Sequence, residues 1–332
     1  MRTGPFDGIT GRCYAQAMTT VLVTGASGFV GSHVVPELIS GGHRVLALVR
    51  SEAAGDTVRR RLPAAAREHL DVRVGDVNEP AGLGPVMAGA DIVVHLVALA
   101  RDLDGGRSLD RVNVEGTGNV IEAARAAGIR RLIHLGALGV VDDPKLHYAS
   151  SKARAELLVR SSPLDWTVLK PSLMWGERDG FFNIVADLVR ISPGVVPVPG
   201  NGKSRFQPIA VSDLATAMRL TVERPDTIGQ SLELGGPRYW TYTEITREVL
   251  RGMARRRAVI PVPVALISLV AGSAERLRIP FPVATDQLRQ LKLDNIGRLD
   301  SYQAAFGIGP REMAGNLGYL ARKRRDQEPP AT

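Results

Sequence analysis

A single cysteine, Cys13, stands in 332 residues. One thiol cannot build a disulfide framework or a cysteine-ligated metal site, and no metal is expected. Its scarcity suits a reducing, cytoplasmic compartment. No stretch reaches the roughly 20 apolar residues of a membrane-spanning helix. The nearest approach, Ala258 to Ala271, is too short and carries Pro261 and Pro263; it predicts a buried helix, with a segment resting on a membrane surface as the alternative. Residues 1–17 lack the apolar core of a secretory signal and predict a disordered leader, with Met18 as a candidate start. Internal repeats are absent. An acidic excess is absent too: Lys and Arg number 42 against 34 Asp and Glu, a net charge of +8. The basic clusters Arg59-Arg60-Arg61, Arg255-Arg256-Arg257 and Arg322-Lys323-Arg324-Arg325 could attract nucleic acid or anionic lipid. None has the interleaved aromatics of a nucleic-acid binder, so solvated faces are expected and no nucleic-acid partner.

What is present is an alternation. Hydrophobic residues make up 44% and charged residues 23%, ordinary for a globular protein. Apolar runs predict strands at Thr20–Thr24, Arg44–Val49, Asp71–Val74, Ile92–Leu96, Leu132–Leu135 and Thr167–Leu169. Helical stretches fall between them, near 29–40, 52–68, 81–88, 108–127 and 148–161. Strand alternating with helix argues for an α/β fold, a Rossmann-type doubly wound parallel sheet. Residues 18–175 are expected to form this dinucleotide-binding domain. After Pro171 the rhythm breaks at the Pro- and Gly-rich run 193–200. Residues 176–321 predict a mixed segment in which about 209–234 return to the sheet and the rest build a smaller, mostly helical substrate lobe. Residues 322–332 predict a disordered tail.

Thr24-Gly25-Ala26-Ser27-Gly28-Phe29-Val30-Gly31 joins the first strand to the first helix. Gly25 allows a tight turn, Gly28 clears space for phosphates, and Gly31 lets the helix pack closely. The helix N-terminus then offers unpaired N–H groups and a positive dipole end to a diphosphate. Gly25, Ser27, Gly28, Phe29, Val30 and Gly31 are therefore candidate coenzyme contacts. Arg50 ends the second strand, where an acidic residue would hold the 2′-hydroxyl of NAD. An arginine there, with Ser51 beside it, suits the 2′-phosphate of NADP(H), with NAD(H) as the alternative. Asp76 and Val77 close the third strand, where a carboxylate could accept from the adenine amino group or shape a turn. Leu96, Val97 and Ala98 end the fourth strand with side chains that let a coenzyme cross the sheet edge. His95 is expected to be a satisfied core histidine, with a catalytic role as the alternative, and Asn113 either braces an active-site loop or sits on a helix surface.

Tyr148-Ala149-Ser150-Ser151-Lys152 places a phenol and an ammonium four residues apart, on one helix face. The ammonium would favour the phenolate and bring the tyrosine toward a general acid/base range.

These residues resemble the extended or atypical short-chain dehydrogenase/reductases, which include the NAD-dependent epimerases and dehydratases. The resemblance runs from Met18 to about Leu320. Within them it is nearest to the branch containing the NADPH-carrying accessory subunit of respiratory complex I and its bacterial relatives. Asn113-Val114-Glu115-Gly116-Thr117-Gly118-Asn119, Leu169–Gly176, Arg205–Ala215 and Phe306–Pro310 carry it alongside the glycine turn. It implies that Gly25, Gly28 and Gly31 meet the pyrophosphate, Arg50 the 2′-phosphate and Asp76 the adenine. It also implies that Tyr148 and Lys152 are the catalytic pair and that Pro171 and Ser172 line the nicotinamide. One departure stands out. The family places a Ser or Thr just after the fifth strand, where this chain has Leu135-Gly136-Ala137-Leu138-Gly139; losing one positioned donor costs around 10²-fold or more in rate. Lys170 also stands where many relatives have arginine. Two functions follow as expectations. The first is an NADP(H)-dependent oxidoreductase or epimerase/dehydratase acting on a carbonyl or sugar-like small molecule, with Arg205 a weak candidate for a substrate anion. The second is a catalytically impaired, NADPH-holding structural or redox-sensing protein attached to a respiratory or membrane complex, peripheral to the inner membrane. Neither the substrate nor the oligomeric state is legible.

Overall fold

The apolar runs become one parallel sheet in the computed structural model of this chain, which describes residues 18–102, 104–267 and 294–322. The expected leader 1–17, the tail beyond Arg322 with most of its basic cluster, and residues 268–271 lie outside the described residues. In chain order, β1 (Thr20–Thr24), α1 (Gly31–Ser40), β2 (Arg44–Val49), α2 (Glu52–Arg60) and β3 (Leu70–Val74) open the fold. Next come α3 (Leu83–Met87), β4 (Ile92–His95), α4 (Arg107–Leu109), α5 (Gly116–Ala126), β5 (Arg131–Leu135), α6 (His147–Arg160) and β6 (Asp165–Pro171). Then follow β7 (Met174–Trp175), α7 (Phe181–Ile191), β8 (Val195–Pro199), β9 (Arg205–Phe206), β10 (Ile209–Ala210) and α8 (Val211–Glu223). Then come β11 (Gln230–Leu234), β12 (Trp240–Thr241), α9 (Tyr242–Gly252) and β13 (Ala258–Val262), and after residue 294 α10 (Ser301–Phe306) and a 3₁₀ segment, Gly318–Ala321. Seven strands pair in the order β11-β6-β5-β4-β1-β2-β3, all of them parallel. The order reverses between β1 and β4, so the carboxyl ends of these two strands flank the crevice where such sheets take ligands.

Period-two alternation explains why the strands are apolar throughout. Val21, Val23, Val45, Ala47, Ile92 and Val94 face one core, which α1 and α8 cover with Val34, Leu38, Leu214 and Met218. Leu22, Leu46, Leu48 and Val93 face the other, covered by Val86, Val120, Ile121 and Val159. A sheet buried on both faces has no polar side to show.

Pro63 stops α2, so the long helix expected over 52–68 is α2 followed by a 3₁₀ segment, Ala64–His69. The stretch expected as one helix over 108–127 passes through a π-helical turn, Asp110–Glu115. Within 209–234, α8 packs on the sheet and β11 joins it beside β6. The lobe has a third core, in which α7 and α9 bring Phe182, Val185, Val189, Ile245 and Val249 together. Its helices share that core with strand pairs β8–β13 and β9–β12. The Ala258 to Ala271 stretch therefore begins as strand β13 and not as a buried helix. Val259, Ile260 and Val262 favour extended backbone, and Pro261 is tolerated on a two-stranded edge.

Candidate functional site

The turn leaving β1 is built on backbone that no other residue fits. Gly25 has φ of +73°, and a Cβ at Gly31 would stand 2.3 Å from the Gly25 carbonyl oxygen. The start of α1 therefore lies directly on the turn, and its N-terminus carries neither a side-chain cap nor an acidic residue in its first turn. Those are the features of an anion cradle. Two guanidinium groups flank it. Arg61 donates to the Ser27 carbonyl at 3.0 Å, and Arg178 donates to the Ser32 hydroxyl. Burial, then Arg178 and Arg61, holds the nearby His33 down to about 4. Arg178 comes from the loop before α7, and no local pattern marks it. Arg61 belongs to a cluster expected to face solvent. Its neighbour Arg59 does so, paired with Asp56, while Arg61 turns inward.

The carboxyl ends of β1 to β6 open onto a cleft of about 780 Å³. It is lined by Gly25, Ser27, Gly28, Phe29, Val30, Gly31, Arg50, Asp76, Val77, Leu96, Val97, Ala98, Tyr148, Lys152, Pro171 and Ser172, so these sequence candidates share one cavity. Two candidates do not join them. Ser51 caps α2, its hydroxyl accepting from the Ala54 amide, and it does not line the cleft. Arg205 pairs at 2.6 Å with Asp294 and also stands outside the lining. Arg50 is exposed, and among the described residues no carboxylate pairs with it. Asp76 lines the cleft and accepts from the Asn78 amide and side chain through one oxygen, which closes a turn. Asn119 holds the same strand end by donating to the Val77 carbonyl.

His95 is a core residue. Strand register sets it opposite Thr24, and its ring nitrogens meet Thr24 Oγ1 at 2.7 Å and Thr117 Oγ1 at 3.0 Å. Burial, reinforced by Lys152, lowers its pKa to about 3, so it stays neutral. Asn113 is a brace: its side chain accepts from Leu99 N, donates to Leu99 O, and donates to Ser151 Oγ. One amide thereby ties the segment after β4 to the helix carrying Tyr148.

On α6, Lys152 is buried and donates to the Leu135 carbonyl at 2.6 Å. Burial lowers its pKa to about 8, opposed by Glu156. Tyr148 departs from expectation. Burial raises its pKa, since desolvation disfavours the phenolate. The tyrosine is thus held as a proton donor. Lys170 pairs with the same Glu156 at 3.6 Å. Among the described residues of the loop after β5, 136–140, there is no serine or threonine at the cleft. Gly136, Ala137 and Leu138 line the cleft there, while Ser150 donates to Asp142 and Ser151 to the Tyr148 carbonyl. Ser172 is engaged as well, donating to Asn295 and accepting from Gln207 N. Among the described residues no group of three or more His, Cys, Asp or Glu side chains could hold a metal, and no helix is long and apolar enough to cross a membrane.

A family described as NAD(P)H-binding matches residues 25–188. A ceramide reductase of Caulobacter vibrioides is 32% identical over 256 residues, covering 75% of this chain and 75% of the relative. The mitochondrial NADH dehydrogenase (ubiquinone) 1 alpha subcomplex subunit 9 of Arabidopsis thaliana is 27% identical, over 83% of this chain and 68% of its own. Among solved structures, a dTDP-glucose 4,6-dehydratase from Streptomyces venezuelae superposes with a TM-score of 0.68 at 22% identity, covering 92% of this chain and 96% of that one. At that identity the likeness concerns the fold.

Proposed function

The chain belongs to the extended, epimerase/dehydratase-like branch of the NAD(P)H-binding short-chain dehydrogenase/reductases, and from that premise we propose that it is an NADPH-dependent reductase of a carbonyl substrate. The observation that carries this reading is a shared cavity. The uncapped N-terminus of α1 and the Tyr148–Lys152 pair face the same cleft. In this reading the glycine turn holds the diphosphate, with Arg61 and Arg178 adding positive charge beside it. Arg50 meets the 2′-phosphate, which is the basis for NADPH over NADH. Asp76 accepts from the adenine, and Pro171 and Ser172 border the nicotinamide. The coenzyme supplies the hydride when bound. Tyr148 is the general acid that delivers a proton to the substrate oxygen, its phenol being protonated at neutral pH. Lys152 holds the ribose and restores charge near the phenol. Purified protein should consume NADPH with a suitable carbonyl, and Tyr148→Phe should abolish that turnover while leaving coenzyme binding intact; turnover surviving the change contradicts the reading.

A second reading is favoured by one observation: Ala137 and its neighbours bring no hydroxyl to the substrate side of the cleft. In that reading the protein holds NADPH as a structural or redox-sensing group, attached to a respiratory or other membrane complex and so peripheral to a membrane. A coenzyme that co-purifies, exchanges over hours and is not oxidised by any carbonyl would favour it. Rapid exchange with turnover would dismiss it.

A further inference from the structure

We propose that the substrate half of the cleft takes a carbonyl compound with a hydrocarbon body and not a nucleotide sugar; this deepens, and rests on, the coenzyme reading above. Past Ser172 the cleft wall is built from the lobe, and the lobe presents carbon. On α7, Phe181, Ile184 and Val185 stand at i, i+3 and i+4, so one helix face supplies all three. Phe181 meets the ring of Tyr242 edge-on at 5.6 Å and the ring of Phe206 at 6.1 Å, which makes a three-ring end wall. Leu138 and Met174, following β5 and β6, complete the side nearest the sheet.

Leaving aside the phenol hydroxyls of Tyr148 and Tyr242, the polar side chains of this half are engaged within the protein. Among the described residues its charged side chains are Arg178 and Asp294. Arg178 is bonded to Ser32 at the glycine turn, on the coenzyme side. Asp294 accepts from the backbone amide and guanidinium of Arg205. Asn295, the remaining amide, accepts from Ser172 and donates to the Leu138 carbonyl. A sugar diphosphate needs cations for its phosphates and partners for each hydroxyl, and burying such groups unpaired is costly. A hydrocarbon body needs neither, and an apolar wall with a few convergent polar groups suits it. On such a ketone the carbon takes the hydride that NADPH supplies and the oxygen takes the Tyr148 proton. The ketone is reduced to the alcohol and NADPH is oxidised to NADP⁺.

The test is calorimetric titration of the full chain, with and without NADPH, using 2-tridecanone and UDP-glucose as probes. We expect saturable 2-tridecanone binding in the micromolar range and no UDP-glucose heat at millimolar concentration. Ile184→Asp, which puts a charge on the half-buried α7 face, should weaken the ketone at least tenfold with NADPH affinity unchanged. Ile184→Trp, which keeps the helix and fills the space, should do the same. UDP-glucose binding that displaces the ketone, or no ketone binding with or without NADPH, overturns the proposal. Absence of NADPH binding overturns the coenzyme reading instead, and the ketone titration of the coenzyme-free protein then still decides the wall.

Discussion

Tyr148 and Arg50 carry the two chemical claims that a single substitution can reach. Burial raises the pKa of the Tyr148 phenol, and the proposed reaction uses that phenol as the acid toward a substrate oxygen. Tyr148→Phe removes one proton and little volume. Steady-state kinetics should show kcat reduced by about 10²- to 10⁴-fold, the usual worth of a positioned acid, while fluorescence titration finds NADPH affinity unchanged. Arg50 stands exposed at the end of β2 with no carboxylate partner among the described residues. A charge-assisted contact to the 2′-phosphate is worth roughly 1.5–3 kcal/mol. Arg50→Asp should therefore weaken NADPH tenfold or more and turn the preference toward NADH, read from the ratio of the two dissociation constants. An unchanged ratio means that the 2′-phosphate is met elsewhere.

Single elements test how the cleft is framed. At the start of α1, Gly31→Ala puts a methyl against the Gly25 and Ala26 carbonyls, and backbone cannot swing aside as a side chain does. Overpacking of this kind costs about 1–3 kcal/mol. Thermal unfolding should show that loss together with weaker NADPH binding, because the helix must lift off the turn that holds the diphosphate. At the start of α7, buried Asp179 accepts from the Phe182 and Asn183 amides and from the Tyr319 hydroxyl. Burial nevertheless raises its pKa to about 6, outweighing those hydrogen bonds. The folded protein then keeps a proton that the unfolded chain has released. That contribution is fully present below about pH 4 and is lost as pH rises to about 6, a change on the order of 3 kcal/mol. Asp179→Asn retains an accepting oxygen and removes the charge, so denaturant unfolding at pH 4.5 and 7.5 should differ less in the variant than in the parent. An equal difference in both would place the pH dependence elsewhere.

The molecule as a whole divides into what local spacing carries and what folding assembles. The sheet was legible because central strands buried on both faces carry apolar runs such as Val21-Leu22-Val23, and β1, β2 and β4 fall where such runs stand. The glycine turn and the Tyr148–Lys152 pair were legible for the same reason, since each lies within one turn or one helix. Strands β8 and β13 were hidden, because Pro197, Pro199 and Pro261 read as breakers until edge pairing accommodates them. Arg61, Arg178 and the Phe181–Phe206–Tyr242 wall were illegible in a stronger sense: tertiary packing across many residues brings Arg61 to the glycine turn and the others to the cleft. The Tyr148 pKa was misjudged because charge proximity is visible in a sequence and desolvation is not. The central sheet core should answer as one body. Leu22→Ala, at a fully buried central position, is expected to cost about 2–5 kcal/mol in denaturant unfolding.

All of this depends on an anion seated over the bare amides at the start of α1. Isothermal titration of the purified chain with NADPH and with NADH measures that most directly. The account predicts saturable binding of one coenzyme per chain, tighter for NADPH, with heat lost in Gly31→Ala. No heat from either coenzyme at millimolar concentration would contradict it.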